Sequence, residues 1–348
     1  MWDSLNNDAM KRLVIMLPLA VCISCTLSLR TDESEFCQSV FSIGGATKVT
    51  VASDAKERNV KYWTVMLFDA DNPDAWYYAS SGSSSDITCT VQKGRSYRAY
   101  AIANYPLEGA YMFSPSQISG ETHLLQYESA LSSNTEDGLV MFGSRDLEEL
   151  PSDTTPMPLK RLASKVTVSK ITIDMDDPVY AAQEFVLNAV YLTNVYTSTS
   201  FGSDHSSPEL DQQYWYNAMG WHGSGSLRAL DAITGDRGLG VTIPNGSSYD
   251  TVHTFYAYPN ASTADSTGED WSVRHTRLVI EGTLGNKKYY YTITLPAMKR
   301  NNSYTISDAK LRRPGSLDPE QTIPGILDAT ISISEDTWDR EYYTSEAS

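Results

Sequence analysis

The sequence predicts an all-β chain of two tandem β-sandwich domains, mostly antiparallel. Three observations carry that expectation. The 348 residues hold 22 Tyr against 8 Phe. Tyrosine suits strands, because its ring packs while its hydroxyl stays wet. From residue 36 onward, short apolar runs alternate with polar neighbours, and no stretch keeps a helical period of useful length. Finally, Pro151-Ser152-Asp153-Thr154-Thr155-Pro156-Met157-Pro158 sets three prolines in eight residues, the best domain boundary in the chain. The expected division is a leader at 1–25, a first sandwich at 26–158 and a second at 159–348. Two domains also fit a length norm of roughly 100–200 residues per domain.

The leader comes first. Lys11 and Arg12 precede an apolar stretch, Leu13 to Ile23, interrupted by Pro18. It is too short for a membrane span, which takes about 20 apolar residues. It fits the apolar region of an export signal. Residues 1–9 look like upstream sequence, with Met10 as the expected start. The stretch ends in Ile23-Ser24-Cys25, similar to the lipobox of bacterial lipoproteins, with Cys25 as the acylated residue. Cys22 stands where that motif usually has an aliphatic residue. Ordinary signal-peptidase cleavage and an unexported chain with an apolar start are the alternatives. Beyond the leader, the cysteines are Cys37 and Cys89. An oxidising compartment permits a disulfide between them, and two separately buried thiols are the competing reading.

The strands follow in order. Val49 and Val51 alternate with polar neighbours. Trp63-Thr64-Val65-Met66-Leu67-Phe68 reads as a central strand covered on both faces. It stops at the turn cluster Asp69 to Asp74, and Ser80 to Ser85 reads as a loop. Asp86 to Val91 and Ser96 to Ala103 are further strands, and Gln126 to Ser132 a short helix. In Ala163 to Ile173, Val166 and Val168 share one parity and Ile171 and Ile173 the other. A bulge near Ser169, or burial on both sides, reconciles them. Phe185 to Val195 alternates less cleanly, and 199–250 reads as a long elaborated loop region. Arg277 to Thr283 and Lys287 to Leu295 form a hairpin around Gly285-Asn286. In the last strand, Leu327, Ala329, Ile331 and Ile333 alternate with Asp328, Thr330, Ser332 and Ser334.

The chain offers little for catalysis. A net charge of −16 leaves no basic stripe for nucleic acid. None of the five histidines pairs with another at metal-site spacing. Asp69, Asp71 and Asp74 suggest a calcium loop, but Pro73 and a missing glutamate spoil that pattern. Gly235 to Gly240 is glycine-rich without a clear following helix. Neither a G-x-S-x-G elbow nor an S-x-x-K motif occurs. No metal, cofactor or enzymatic activity is expected. Tyr214, Trp215, Tyr216 and Trp221 form an aromatic cluster, read as a core corner, a subunit contact or a sugar-stacking surface.

Several segments, in order, resemble a known family. They are the leader ending at Cys25, Tyr62 to Asp69, Tyr97 to Asn104, Leu162 to Ile173 and Tyr191 to Val195. They continue with Tyr256 to Asn260, Thr276 to Glu281, Arg313 to Pro319, Ala329 to Ile333 and Trp338. The chain resembles the fimbrillins, the pilins of type V pili in anaerobic Gram-negative bacteria. That resemblance implies two transthyretin-like sandwiches and a lipoprotein at the outer membrane and cell surface. It also implies polymerisation by strand exchange. A protease removes the first strand, and a C-terminal strand from a neighbouring subunit fills the groove. The implied partners are other pilus subunits, a processing protease, and host or bacterial surface ligands. Leu327, Ala329, Ile331 and Ile333 would form the donor strand. The family cut often follows an Arg between the first strand and the Trp63 strand. Here the candidates are Arg30, Lys48 and Arg58, none well placed. A stalk subunit is the first reading; a tip adhesin or carbohydrate-binding surface lipoprotein is the alternative.

Overall fold

The computed structural model describes residues 36–43, 56–57, 59–73, 76–106, 117–148, 154–203, 212–218, 229–262 and 274–334. The leader with Cys25, the candidate cut positions Arg30, Lys48 and Arg58, and Trp221 lie outside them. So do Val49, Val51 and Asp74.

The chain is almost wholly β. The first group of strands makes two sheets. One is β3-β2-β5-β7-β9, with β2 at Trp63–Asp69, β3 at Trp76–Gly82, β5 at Tyr97–Ala103, β7 at Met141–Leu147 and β9 at Lys160–Arg161. The other is β4-β1-β8, with β1 at Phe36–Ser42, β4 at Asp86–Gln92 and β8 at Thr155–Pro156. The continuous apolar run of β2 has the expected consequence: every residue of it is buried. Trp63, Val65 and Leu67 face a core shared with β1 and β4. Met66 and Phe68, of opposite parity, join the larger core that extends into the second half. One sheet thus separates two apolar layers.

The second group also makes two sheets. In one, β12 (Phe185–Thr193) and β19 (Arg277–Leu284) are central, with β16 (Gly235–Ile243) and β20 (Lys287–Thr294) at the edges. The β19–β20 hairpin turns at Gly285, whose φ of 61° lies in the left-handed region glycine tolerates. In the other sheet, β21 (Ser303–Leu311) runs parallel to both β10 (Ser164–Val168) and β11 (Ile171–Ile173). Its opposite side pairs antiparallel with β22 (Leu327–Ser334). β18 (His253–Ala257) and β17 (Ser247–Tyr249) flank β10 and β11.

The parity conflict between Val166/Val168 and Ile171/Ile173 is resolved by a break at Ser169-Lys170, after which burial changes sides. β21 changes sides with it: Tyr304 and Ile306 are buried, then Ala309 and Leu311. The uneven alternation of β12 also has a cause. Its register against β19 shifts between Leu187 and Ala189, leaving Asn188 as an extra residue. Its side-chain amide donates to Thr283 Oγ1 at 2.8 Å.

Three expectations need correction. The helix near 126–132 lies earlier, as α1 at Glu121–Gln126, followed by β6 at Glu128–Ala130 and a 3-10 turn. Part of the loop expected at Ser80 to Ser85 is the end of β3. The region 199–250 is not simply loop, because it contains β16 and β17. β16 hides from pattern reading because Gly238 and Gly240 take φ of 71° and 60° in a bulge against β12. That bulge breaks the exposed edge of the sheet.

The two halves are tied together in several ways. β14 (Ser198–Ser200) pairs with β6 across the halves. The hydroxyl of buried Tyr258 lies 2.8 Å from Ser129 Oγ and accepts from Asn134 Nδ2 at 3.0 Å. Burial pushes that hydroxyl's pKa up to about 12. Phe201 stacks on Phe142 and Tyr127.

Candidate functional site: the first and last strands

β1 is a poor core strand by sequence, with Cys37, Ser39 and Phe41 as its inward residues. Only Phe41 supplies a large buried group. It packs with Trp63, Val65, Leu67, Ile87, Cys89 and Val91. Seven antiparallel pairs join β1 to β4, from Phe36↔Gln92 to Ser42↔Asp86. Among the described residues, its other edge is covered by two parallel pairs with β8, Phe41↔Thr155 and Ser42↔Pro156. Phe36 at its start is 42% exposed. β1 therefore fills a groove between β4 and β8 whose floor belongs to other strands.

Cys37 and Cys89 point into this groove as free thiols. Cys37 sits opposite Val91, and Cys89 opposite Ser39, so they are diagonal rather than direct cross-strand neighbours. Burial pushes the Cys89 thiol up to about 12.

β22 is the converse case. Leu327, Ala329, Ile331 and Ile333 do share one face, as their spacing predicts. Yet Leu327 and Ile331 are only half-buried, Ala329 is exposed, and Ile333 is 50% exposed. β22 lies on the edge of β21 of the same chain, from Leu327↔Leu311 to Ser334↔Ser303. One edge of its backbone is satisfied within the molecule. An ion cluster holds its start: Arg312 Nε donates to Asp328 at 2.9 Å and Arg312 Nη1 to Asp174 at 2.7 Å.

The remaining candidates fall elsewhere. Trp215 is fully buried and stacks on Tyr196, with centroids 3.9 Å apart. Tyr216 is buried and Tyr214 half-buried. Asp69 serves its own turn: Oδ1 accepts from Asp71 N at 2.8 Å and Oδ2 from Arg95 at 2.7 Å. Among the described residues, no group of three His, Cys, Asp or Glu is placed to hold a metal ion.

Sequence reasoning missed one polar cluster. Glu57, 4% exposed, accepts from Lys165 Nζ at 2.8 Å and Tyr256 OH at 2.7 Å. Burial first, then the Glu57 carboxylate, push the Tyr256 hydroxyl well above the usual phenol range. The main-chain oxygen of Glu57 accepts from Arg161 Nε at 3.0 Å.

No family model matches the chain, and no curated protein matches it. Solved structures do. A candidate cell adhesion protein from Bacteroides eggerthii DSM 20697 superposes with a TM-score of 0.63 at 16% identity, covering 86% of this chain and 96% of that one. Another, from Parabacteroides distasonis ATCC 8503, gives 0.59 at 18% identity, covering 86% and 98%. A fimbrilin from Porphyromonas gingivalis W83 gives 0.56 at 13% identity, covering 85% and 96%. At these identities the likeness is one of fold. The resemblance to fimbrillins read from the sequence is met at that level.

Proposed function

We propose that this chain is a structural subunit of a cell-surface pilus, exported as a lipoprotein through Cys25 and assembled by donor-strand exchange. In this reading it has two domains, dividing near 158, and is not an enzyme. β1 is removed by a protease, and β22 of a neighbouring subunit takes its place between β4 and β8. The observation that carries the reading is the asymmetry of the two end strands. β1 brings a single large inward side chain, Phe41, to its groove, beside Cys37 and Ser39. β22 brings Leu327, Ala329, Ile331 and Ile333 and leaves that face half-covered at home. An open sheet edge supplies ladder bonds and its pockets take alternate side chains. Such a contact is head-to-tail and does not close, so it grows a filament. The fold shared with the P. gingivalis fimbrilin supports the same reading. Binding of a carbohydrate through the aromatic cluster is less favoured, because Trp215 and Tyr216 are core residues.

Two experiments test this. Ile331→Asp should abolish filaments seen by electron microscopy, while Thr330→Asp, on the opposite face, should leave them. The Ile331→Asp monomer should lose only about 1 kcal/mol, since a half-buried aliphatic carries about half of the 1.5–3 kcal/mol of full burial. Equal loss of monomer and polymer would reject exchange. For export, Cys25→Ala should abolish labelling by a palmitate analogue; unchanged labelling would reject Cys25 as the anchor.

A further inference from the structure

We propose that Glu57 is the anchor at which the removable segment ends. Processing leaves Glu57 on the body of the protein, and the bond between Arg58 and Asn59 is not the processing site. The inference rests on the reading that β1 is removed by a protease. It selects against the candidate cut nearest the Trp63 strand.

The geometry is as follows. Glu57 is buried, and three residues from the far side of the boundary hold it. Lys165 Nζ and Tyr256 OH donate to Oε1, and Arg161 Nε donates to the main-chain oxygen. Lys165 and Arg161 are themselves buried. Two residues on, the chain is pinned again. Asn59 N donates to Lys56 O at 3.2 Å, and Asn59 O accepts from Asn104 Nδ2 at 2.7 Å. Asn59 Nδ2 donates to Asp137 O at 3.3 Å. Lys61 N then donates to Asn104 Oδ1 at 2.9 Å. Asn104, with φ of 57°, sits at the end of β5 and serves as a fixed post.

A protease takes its substrate as an extended strand, so residues on both sides of the scissile bond must leave the body. Susceptibility follows the burial and hydrogen bonding of that backbone. At Arg58–Asn59, both flanks are tied down. A cut there would also carry Glu57 away with the leaving segment. Lys165 and Tyr256 would then lose the carboxylate they share, and Arg161 the main-chain oxygen to which it donates, at the junction of the two halves. Removing one member of a buried ion pair is strongly destabilising. A cut upstream of Lys56 leaves the whole cluster in place.

The test uses the purified full chain and trypsin, with appearance of a fragment starting at Asn59 followed by mass spectrometry. A synthetic peptide spanning residues 50–66 is the unstructured reference. In the folded protein the Arg58–Asn59 bond should be cut on the order of a hundredfold more slowly than in the peptide. Glu57→Ala should raise that rate by about tenfold or more, with tryptic cutting at Arg145 unchanged. Should Glu57→Ala fail to fold, Tyr256→Phe removes one hydrogen bond, keeps the ring, and should give an intermediate rate. Wild-type cutting at Arg58 at the peptide's rate would overturn the anchor, as would a variant rate equal to wild type. In cells, a mature N-terminus upstream of Glu57 supports it, and one at Asn59 overturns it. Absence of any processed form would count against removal of β1, while the tryptic arm still decides the anchor.

Discussion

The first and last described strands invite comparison, because β1 lies between two neighbours and β22 at the edge of its sheet, and they differ in opposite ways. β1 is well placed and poorly equipped. Its one large inward side chain, Phe41, is fully buried, and ladder partners flank the strand on both sides. β22 is well equipped and poorly placed. It carries four apolar residues on one face, but Ile333 is half-exposed and, among the described residues, β21 alone pairs with it. The lesson is that the number of apolar residues on a strand does not set its contribution; the cover that other strands give it does. The groove that holds β1 offers cover that β22 lacks at home.

The largest expected effect lies at Phe41. Phe41→Ala should cost the monomer about 3–5 kcal/mol in denaturant unfolding, the usual range for a fully buried phenylalanine. If β22 replaces β1, the same variant should be tolerated once the strand has been removed, and filaments from processed protein should melt as wild type does. A loss of more than about 2 kcal/mol in the filament as well would show that Phe41 stays in place, and the comparison would fail.

Cys89 sharpens the comparison without disturbing it, because it lies on β4 beside β1, opposite Ser39, and reports on whether the groove is filled. The thiolate is the reactive form. With its pKa pushed up to about 12 from an ordinary 9.0, buried Cys89 holds about a thousandfold less thiolate near neutral pH than a free cysteine. Iodoacetamide should therefore label it slowly in the intact monomer, fast after β1 is removed, and slowly again in filaments. Fast labelling of the intact monomer would mean that β1 does not seal the groove. The same shift fixes a sign for pH. Below pH 9 the thiol is neutral in folded and unfolded chains alike. As pH rises from 9 towards 12, the unfolded chain ionises first, so this contribution to stability is lost.

These elements were not equally legible in the sequence. β2 was plain, since a continuous apolar run has few other homes than a strand covered twice. The β19–β20 hairpin was plain from its Gly285-Asn286 turn, and β22 from strict alternation. β16 was not, because Gly238 and Gly240 imitate a loop while forming a bulge within a strand. Strand signals from residue 36 onward take in β1, yet its groove was not legible, for its two edges come from β4 and from the short β8 parallel to it, and its floor from β2. The Glu57 anchor left no signal at all, for its partners lie 104 and 199 positions away at Arg161 and Tyr256. Pairing at such separation is a property of topology, and no local pattern encodes it.

The smallest expected effect on the monomer is the one that best separates two accounts of β22. At Ile333 the side chain is 50% exposed, so Ile333→Ala should cost the monomer less than about 1 kcal/mol. If β22 serves only to complete its own sheet, the filament should be as indifferent to this change as the monomer. If β22 lies in the groove of a neighbour, Ile333 enters a covered site and its truncation costs the interface about 2–5 kcal/mol, the range for a buried Ile→Ala. Filament yield should then fall steeply while monomer unfolding barely moves. Ser332→Ala, one residue away on the opposite face, is the control and should leave both unchanged. A filament that tolerates Ile333→Ala as readily as Ser332→Ala would show that this end of β22 gains no cover on assembly, and the contrast between the two end strands would lose its functional meaning.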